Sequence, residues 1–157
     1  MRVGIGYDIH PLEAGRPLVL GGVRIEHAAG LAGHSDGDAL SHAIIDALLG
    51  AAALGDIGQH FPSSDERYRD ASSIDLLRAA AQLIAQAGYR TVNVDATIIT
   101  ETPKLAPHID AMRAKLAEAL GIESGSVSVK PTTADRLGSL GRGEGIAALA
   151  VVLLDST

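Results

Sequence analysis

The sequence predicts a single α/β domain of the α+β type, with one mixed β-sheet and helices packed mainly on one face of it. Three observations carry that expectation. The chain has 157 residues, a length usual for one domain. Its hydrophobic periodicities give the order β-β-α-α-β-α-β-β, which lacks the strict strand–helix alternation of a doubly wound parallel sheet. No internal repeat, linker or low-complexity stretch divides residues 1–157.

Val3 and Ile5 alternate with glycine in a short strand from Arg2 to His10, and Leu18 to Ile25 form a second strand region interrupted by Gly21-Gly22. The run "GHSDGD" supplies helix-start residues. Ala39, Ala43, Ile44, Ala47, Leu48 and Ala51 follow at helical spacing, and Gly55 ends that helix. Residues Asp56 to Asp70 are polar and aperiodic, a loop of a length usual for a functional lid or a disordered segment. Ser72 or Ser73 caps a second helix with the stripe Ile74, Leu77, Ala81, Ile84 and Ala87, stopped by Gly88. Val92, Val94, Ala96 and Ile98 alternate as a half-buried strand. After Pro103 the stripe Leu105, Ile109, Met112, Leu116 and Leu120 marks a third helix, ended by Gly121. Ser126 to Lys130 and Ile146 to Leu154 are the last strands, separated by a glycine-rich loop.

Composition narrows the function. Hydrophobic residues make up 46% but aromatics only 3%, so the core must be Ala, Leu, Ile and Val; such Ala-rich aliphatic cores often leave apolar faces that close on another subunit. The formal net charge is -6 and no basic run interrupts it, which argues against a nucleic-acid partner. An anionic substrate would then need local cations, from metals or a few placed Arg and Lys. With no cysteine, disulfides and thiolate zinc sites are excluded, and a metal must take His, Asp, Glu or backbone oxygen. The first residues do not read as a secretory signal, and the apolar stretch from Ala147 to Leu154 is far shorter than the roughly 20 residues of a membrane span. The expectation is a cytoplasmic protein without a membrane partner.

The strongest local constellation is Asp8, His10 and His42. Asp8 and His10 lie two apart on a strand and leave the same face, while His42 lies on the first turns of a helix. One carboxylate and two imidazoles with a vacant position is the pattern of catalytic zinc, and it suits non-haem iron equally. Asp38 and Asp46 sit four residues either side of His42 on the same helical face; either could orient His42 or His10 through the second ring nitrogen. The alternative is a solvated acidic face carrying a surface histidine.

Other signals are weaker alone. "GIGYDI" fails as a dinucleotide fingerprint because Ile9 takes the third glycine position, and "GRGEG" lacks the ending of a P-loop. Thr132, Thr133 and Asp135 could hold phosphate oxygens and a hard cation such as Mg²⁺, or form an ordinary turn. Lys104 falls at the predicted start of the third helix, where donors favour an anion, or is an exposed lysine. Arg142 and Glu144 could be a salt-bridged pair in a glycine turn. His34 precedes a helix start and could donate to a phosphoryl oxygen.

Together, "GYDIH" at 6–10, "GHSDGDALSHAIIDALLGAAALGDIGQHFP" at 33–62, "PKLAPHI" at 103–109 and the stretch from Thr132-Thr133 through "GRGEGIA" resemble the methylerythritol cyclodiphosphate synthase family of the non-mevalonate isoprenoid pathway. The resemblance covers essentially the whole chain and is closer to the family's stand-alone form than to its fusions with a cytidylyltransferase. It implies a lyase that cyclises 4-diphosphocytidyl-2-C-methyl-D-erythritol 2-phosphate and expels CMP. It implies Zn²⁺ on Asp8, His10 and His42, and a second divalent ion, Mg²⁺ or Mn²⁺, between Asp135 and the substrate phosphates; Asp135 stands where the family usually has Glu. His34 and Thr133 match residues that stabilise the transition state. Ser35, Asp56, Ile57, Gly58 and the run Phe61, Pro62, Ser63, Ser64 and Asp65 match positions that hold the sugar phosphate and ribose. Thr100, Glu101, Thr102, Pro103, Lys104, Leu105 and Ala106 match the cytosine-binding segment, contributed across a subunit boundary in a homotrimer. Thr132, Ala134, Ser139 and Arg142 complete the expected substrate contacts, although Ser139 occupies a position often aromatic near a central cavity that can hold an isoprenoid diphosphate. The alternatives are a metal-dependent phosphohydrolase and a non-catalytic, oligomeric cytidine-nucleotide-binding module.

Overall fold

Two glycines set how closely the first helix can approach the sheet, and most of the architecture follows from that approach. The computed structural model describes residues 1–157. Strand β1 spans Arg2–Ala14, β4 spans Ala29–Leu31, β5 Tyr89–Ile99, β6 Val127–Thr132 and β7 Gly145–Ser156. They form one sheet in the order β4-β1-β7-β5-β6. Only the β5–β6 pair is parallel; β1 with β4, β1 with β7 and β5 with β7 are antiparallel. The mixed sheet is therefore as expected. The region Leu18 to Ile25 is a small hairpin, β2 (Leu18–Leu20) and β3 (Val23–Ile25), turned at Gly21 and Gly22, whose φ values of 56° and 71° suit glycine.

Helices α1 (Ala39–Ala52), α3 (Ser73–Gln86) and α4 (Ile109–Leu120) cover one face of the sheet, and α2 (Ile57–His60) and α5 (Gly138–Gly141) are single turns. Along the inner face of β1 the residues are Gly4, Gly6, Asp8 and His10. A Cβ on Gly4 would lie 2.0 Å from the Ala47 carbonyl oxygen, and one on Gly6 would lie 1.8 Å from that of Ala43. Backbone thus packs directly on backbone, and the next two side chains on that face meet α1 at His42. Beneath the helices lies one contiguous aliphatic core, including Leu40, Ile44, Leu48, Leu77, Ile98, Met112, Ile146 and Val152. The opposite face of the sheet is apolar yet exposed: Val3, Ile5, Tyr7, Ile9, Leu149 and Val151 all face outward.

Several boundaries differ from expectation for physical reasons. β1 continues past His10 because Pro11, which lacks an N–H, falls where the strand passes from β7 to β4. Val92 sits at a bulge between Thr91 and Asn93, so Thr91 takes the buried position and the regular alternation begins at Val94. The inward stripe of α3 is Ser73, Leu76, Leu77, Ala80 and Ile84, displaced from the expected one, and Ala87 is exposed. The third long helix starts at Ile109, after a 3₁₀ turn over Ala106–His108. Lys104 is therefore not at a helix N-terminus, which withdraws that reason for anion binding there. No helix is long and apolar enough to cross a membrane.

Candidate metal centre and active site

Asp8 and His10 project from the middle of β1, and His42 projects from the first turn of α1 to meet them. The Asp8 Oδ2 atom lies 2.8 Å from His10 Nε2 and 3.0 Å from His42 Nδ1, and the two nitrogens are 3.2 Å apart. Ligands about 2.0–2.1 Å from a tetrahedral zinc are separated by roughly 3.3–3.4 Å. The triangle of donor atoms need open by only a few tenths of an ångström, so the residues fit such an ion. They form the one grouping of three or more His, Cys, Asp or Glu side chains with this geometry.

Charge at the triangle is shared unevenly. Burial pushes the Asp8 carboxyl up, but hydrogen bonds and charges from His10 and His42 outweigh it and hold it well below the usual carboxylate range. The hydrogen bond from His10 to Asp8 raises the His10 pKa against an opposing effect of burial. The far side of His10 is fixed by backbone: Nδ1 lies 2.6 Å from the Ala32 carbonyl oxygen. A carbonyl only accepts, so Nδ1 carries a proton in both states of the ring; the protonated ring also donates from Nε2 to Asp8, and the neutral ring turns the Nε2 lone pair toward the triangle.

Neither Asp38 nor Asp46 orients a histidine, which corrects the expectation from helical spacing. Asp38 is fully buried and caps α1. Its carboxylate accepts from the Gly21 and Gly22 amides at 2.9 and 2.8 Å and from the Ser41 amide and hydroxyl at 3.0 and 2.7 Å. Burial raises its pKa; its work is to tie the β2–β3 hairpin to α1. Asp46 accepts the Ile57 amide at 2.7 Å and so holds α2 against α1.

The triangle opens into a cleft of about 240 Å³ lined by Asp8, His10, His34, Ser35, His42, Ile57, Gly58, Phe61, Ser63, Tyr68 and Leu76. The segment expected to be an aperiodic loop contains α2 and a 3₁₀ turn over Glu66–Tyr68. It is pinned over the cleft by the Asp70 amide on the His34 carbonyl oxygen at 2.9 Å and by the His34 Nε2 donating to the Asp65 carbonyl oxygen at 3.2 Å. Phe61 and Tyr68 meet edge to face at 5.6 Å. Asp56 caps α2 through the Gln59 amide, and Asp65 is paired with Arg67. Pro62 is half-buried and Ser64 exposed beside them.

A second cleft of about 220 Å³ is lined by Thr100, Glu101, Pro103, Lys104, Leu105, Ala106, Pro131, Thr132 and Thr133. Glu101 organises its rim by accepting the Ala134 amide at 2.9 Å and the Arg136 amide at 3.3 Å. Thr102 contributes its carbonyl oxygen, which accepts from the Thr100 hydroxyl at 2.6 Å. Asp135 is exposed, with φ 51°, and its amide bonds the Thr133 hydroxyl at 3.3 Å. The two clefts share no lining residue. Ser139 lines a third, shallow groove with Ile9 and His10, and Arg142 pairs with Glu144 at 2.7 Å. Sequence reasoning missed Tyr68 and Leu76 in the first cleft, as well as Ala32, Asp36 and Ser73 around the histidines.

The sequence matches the YgbB family over residues 1–155. It is 59% identical to the 2-C-methyl-D-erythritol 2,4-cyclodiphosphate synthase of Syntrophomonas wolfei, over 99% of both chains. Among solved structures, the bifunctional IspDF of Campylobacter jejuni superposes with a TM-score of 0.96 at 40% identity; the match covers 99% of this chain and 42% of that longer one. The CDP complex of Plasmodium falciparum IspF gives 0.87 at 34% identity, covering 99% and 96%.

Proposed function

The chain belongs to the YgbB family, and on that premise we propose how its residues carry out the cyclodiphosphate synthase reaction. The substrate is 4-diphosphocytidyl-2-C-methyl-D-erythritol 2-phosphate; the products are 2-C-methyl-D-erythritol 2,4-cyclodiphosphate and CMP. An oxygen of the 2-phosphate forms a bond to the β-phosphorus, and the bond from that phosphorus to the α-phosphate oxygen breaks, its electron pair leaving with CMP. Both reacting groups are anionic, so catalysis is chiefly alignment and charge stabilisation. When bound, Zn²⁺ at Asp8, His10 and His42 and Mg²⁺ or Mn²⁺ at Asp135 would polarise the phosphates and neutralise the charge developing on them. The single observation supporting this reading is the triangle of one carboxylate oxygen and two imidazole nitrogens at the mouth of a cleft.

His34, which lines the first cleft, donates to a phosphoryl oxygen by giving up its bond to the Asp65 carbonyl oxygen, and Thr133 donates through its hydroxyl. Ser35, Ile57, Gly58, Phe61 and Ser63 enclose the methylerythritol phosphate; Asp56, Pro62, Ser64 and Asp65 border it. Thr100 to Ala106, with Thr132, hold the cytosine in the second cleft; that a Plasmodium relative forms a CDP complex supports a cytidine nucleotide as the ligand. Ala134, Ser139 and Arg142 have the least local support, since Arg142 is already paired with Glu144.

The separation of the two clefts supports a homotrimer in which the nucleotide segment of one protomer completes the metal cleft of the next. The outward apolar face of β1 and β7 gives such an assembly its buried surface. Residues 1–157 then act as one synthase domain, placed in the cytoplasm. Phosphorus NMR of the products tests the reaction: a cyclic diphosphate with CMP is expected, and inorganic phosphate would point instead to a metal-dependent hydrolase.

A further inference from the structure

His42 has a second ring nitrogen, and what it touches was not legible in the local sequence. Nε2 lies 2.8 Å from Ser73 Oγ and 3.1 Å from Ser35 Oγ. The Ser73 hydroxyl makes a short hydrogen bond to Asp36 Oδ1, and the Ser73 amide donates to Asp36 Oδ2 at 3.0 Å. We propose that Asp36 and Ser73 form a carboxylate–hydroxyl relay behind His42, holding its ring so that Nδ1 is the atom turned to the metal. The proposal rests on reading Asp8, His10 and His42 as a metal centre.

The direction of each hydrogen bond follows from the chemistry of its partners. An ionised carboxylate only accepts, so the single proton of the Ser73 hydroxyl goes to Asp36. The Ser73 oxygen then has only lone pairs to offer His42, and Nε2 must be the donor. A neutral imidazole protonated on Nε2 has its free lone pair on Nδ1, the atom 3.0 Å from Asp8 and 3.2 Å from His10 Nε2. Ser35, 3.3 Å from Ser73 Oγ, is left to share the Nε2 proton or to donate to Ser73.

Two further observations separate this from helix capping. Ser72 occupies the cap position of α3 and makes no side-chain cap bond, while Ser73, the first helical residue, turns its hydroxyl inward. Ser73 is fully buried and His42 is 8% exposed, so water has little access to replace a lost partner. The relay also joins α1 to α3 and the loop before α1, because Asp36 receives the Asp38 amide at 3.1 Å and gives its own amide to the Ala71 carbonyl oxygen at 3.1 Å. Ser73 is thus a positioning residue, acting on the metal only through His42.

The test is zinc affinity of the full chain, measured by chelator competition without substrate. Ser73→Ala is expected to weaken zinc binding about 10- to 100-fold, the usual effect of removing a partner behind a ligating histidine, whereas Ser73→Thr, which keeps the hydroxyl, stays within about threefold. Asp36→Asn gives the same readout should Ser73→Ala fail to fold, with weakening expected and unchanged affinity overturning the relay. Ser73→Ala binding zinc as tightly as the unsubstituted chain, or Ser73→Thr binding as weakly as Ser73→Ala, would also overturn it. Failure of the unsubstituted chain to bind one zinc would instead remove the metal centre itself, and the relay with it.

Discussion

Substituting Gly6 by alanine tests whether the glycine contact between β1 and α1 builds the metal centre. The added Cβ would lie 1.8 Å from the Ala43 carbonyl oxygen and 2.8 Å from the Ala47 amide nitrogen. Reaching ordinary contact at 3.4 Å requires strand and helix to part by about 1.6 Å. Ala43 adjoins His42, so the displacement falls on the turn that carries a ligand, while Asp8 and His10 stay on the strand. The donor triangle, with sides of 2.8–3.2 Å, cannot absorb that shift and still grip one ion. Overpacking of this kind costs about 1–3 kcal/mol, or more, and for a chain of this length each kcal/mol lowers Tm by roughly 2–4 °C. A fall of about 2–12 °C is expected by thermal denaturation, with zinc affinity reduced at least tenfold in chelator competition. Gly50→Ala is the control: it lies in α1, is exposed and has nothing within 4 Å of its added Cβ, so it should stabilise by about 0.5–1 kcal/mol. Wild-type Tm and wild-type zinc affinity in Gly6→Ala would refute the reasoning.

Asp135→Ala should abolish divalent-dependent turnover and leave zinc content unchanged, measured by steady-state assay and metal analysis; normal turnover would remove Asp135 from the mechanism. Zinc binding should weaken as pH falls. The Asp8 partnership raises the His10 pKa above 6.5 in the metal-free protein, so the protonated ring contributes stability that is full below 6.5 and lost as pH rises through the raised value. Zinc needs the neutral ring and competes with that proton, so its apparent affinity should drop below the raised pKa; a pH-independent affinity from pH 8 to 5 would contradict this. Ile5→Asp, on the exposed apolar face at 70% exposure, should convert the proposed trimer to single copies in sedimentation and impair turnover, with zinc binding retained; a single copy before the substitution, or three copies after it, would overturn that assembly.

The place of each of Asp8, His10 and His42 on its own element was legible in the sequence because that placement is local; the meeting of strand and helix is tertiary. A spacing of two on a strand puts Asp8 and His10 on one face, and helix-start residues place His42 on a first turn. The groups that orient the histidines were not legible, because tertiary packing sets them. Ala32 meets His10 through a backbone oxygen, which no side-chain pattern reveals, and Ser73 reaches His42 from another helix. Asp38 and Asp46 satisfied the spacing rule, yet backbone amides of the hairpin and of α2 claimed them first. The strand alternation at Val92 failed at a bulge, and the helix expected from Pro103 began at Ile109 because a 3₁₀ turn intervenes. The exposed face of β1 was visible only as Val3 and Ile5 alternating with glycine. The sequence pattern alone did not decide which set faced the helices; the close approach at Gly4 and Gly6 did.

Anomalous diffraction from crystals soaked with zinc and CDP tests the central claim most directly. One zinc peak bonded to Asp8 Oδ2, His10 Nε2 and His42 Nδ1, with a phosphate oxygen of CDP beside it, is the predicted result. A zinc bound away from those three atoms, or a nucleotide held in a cleft that does not reach them, would contradict it.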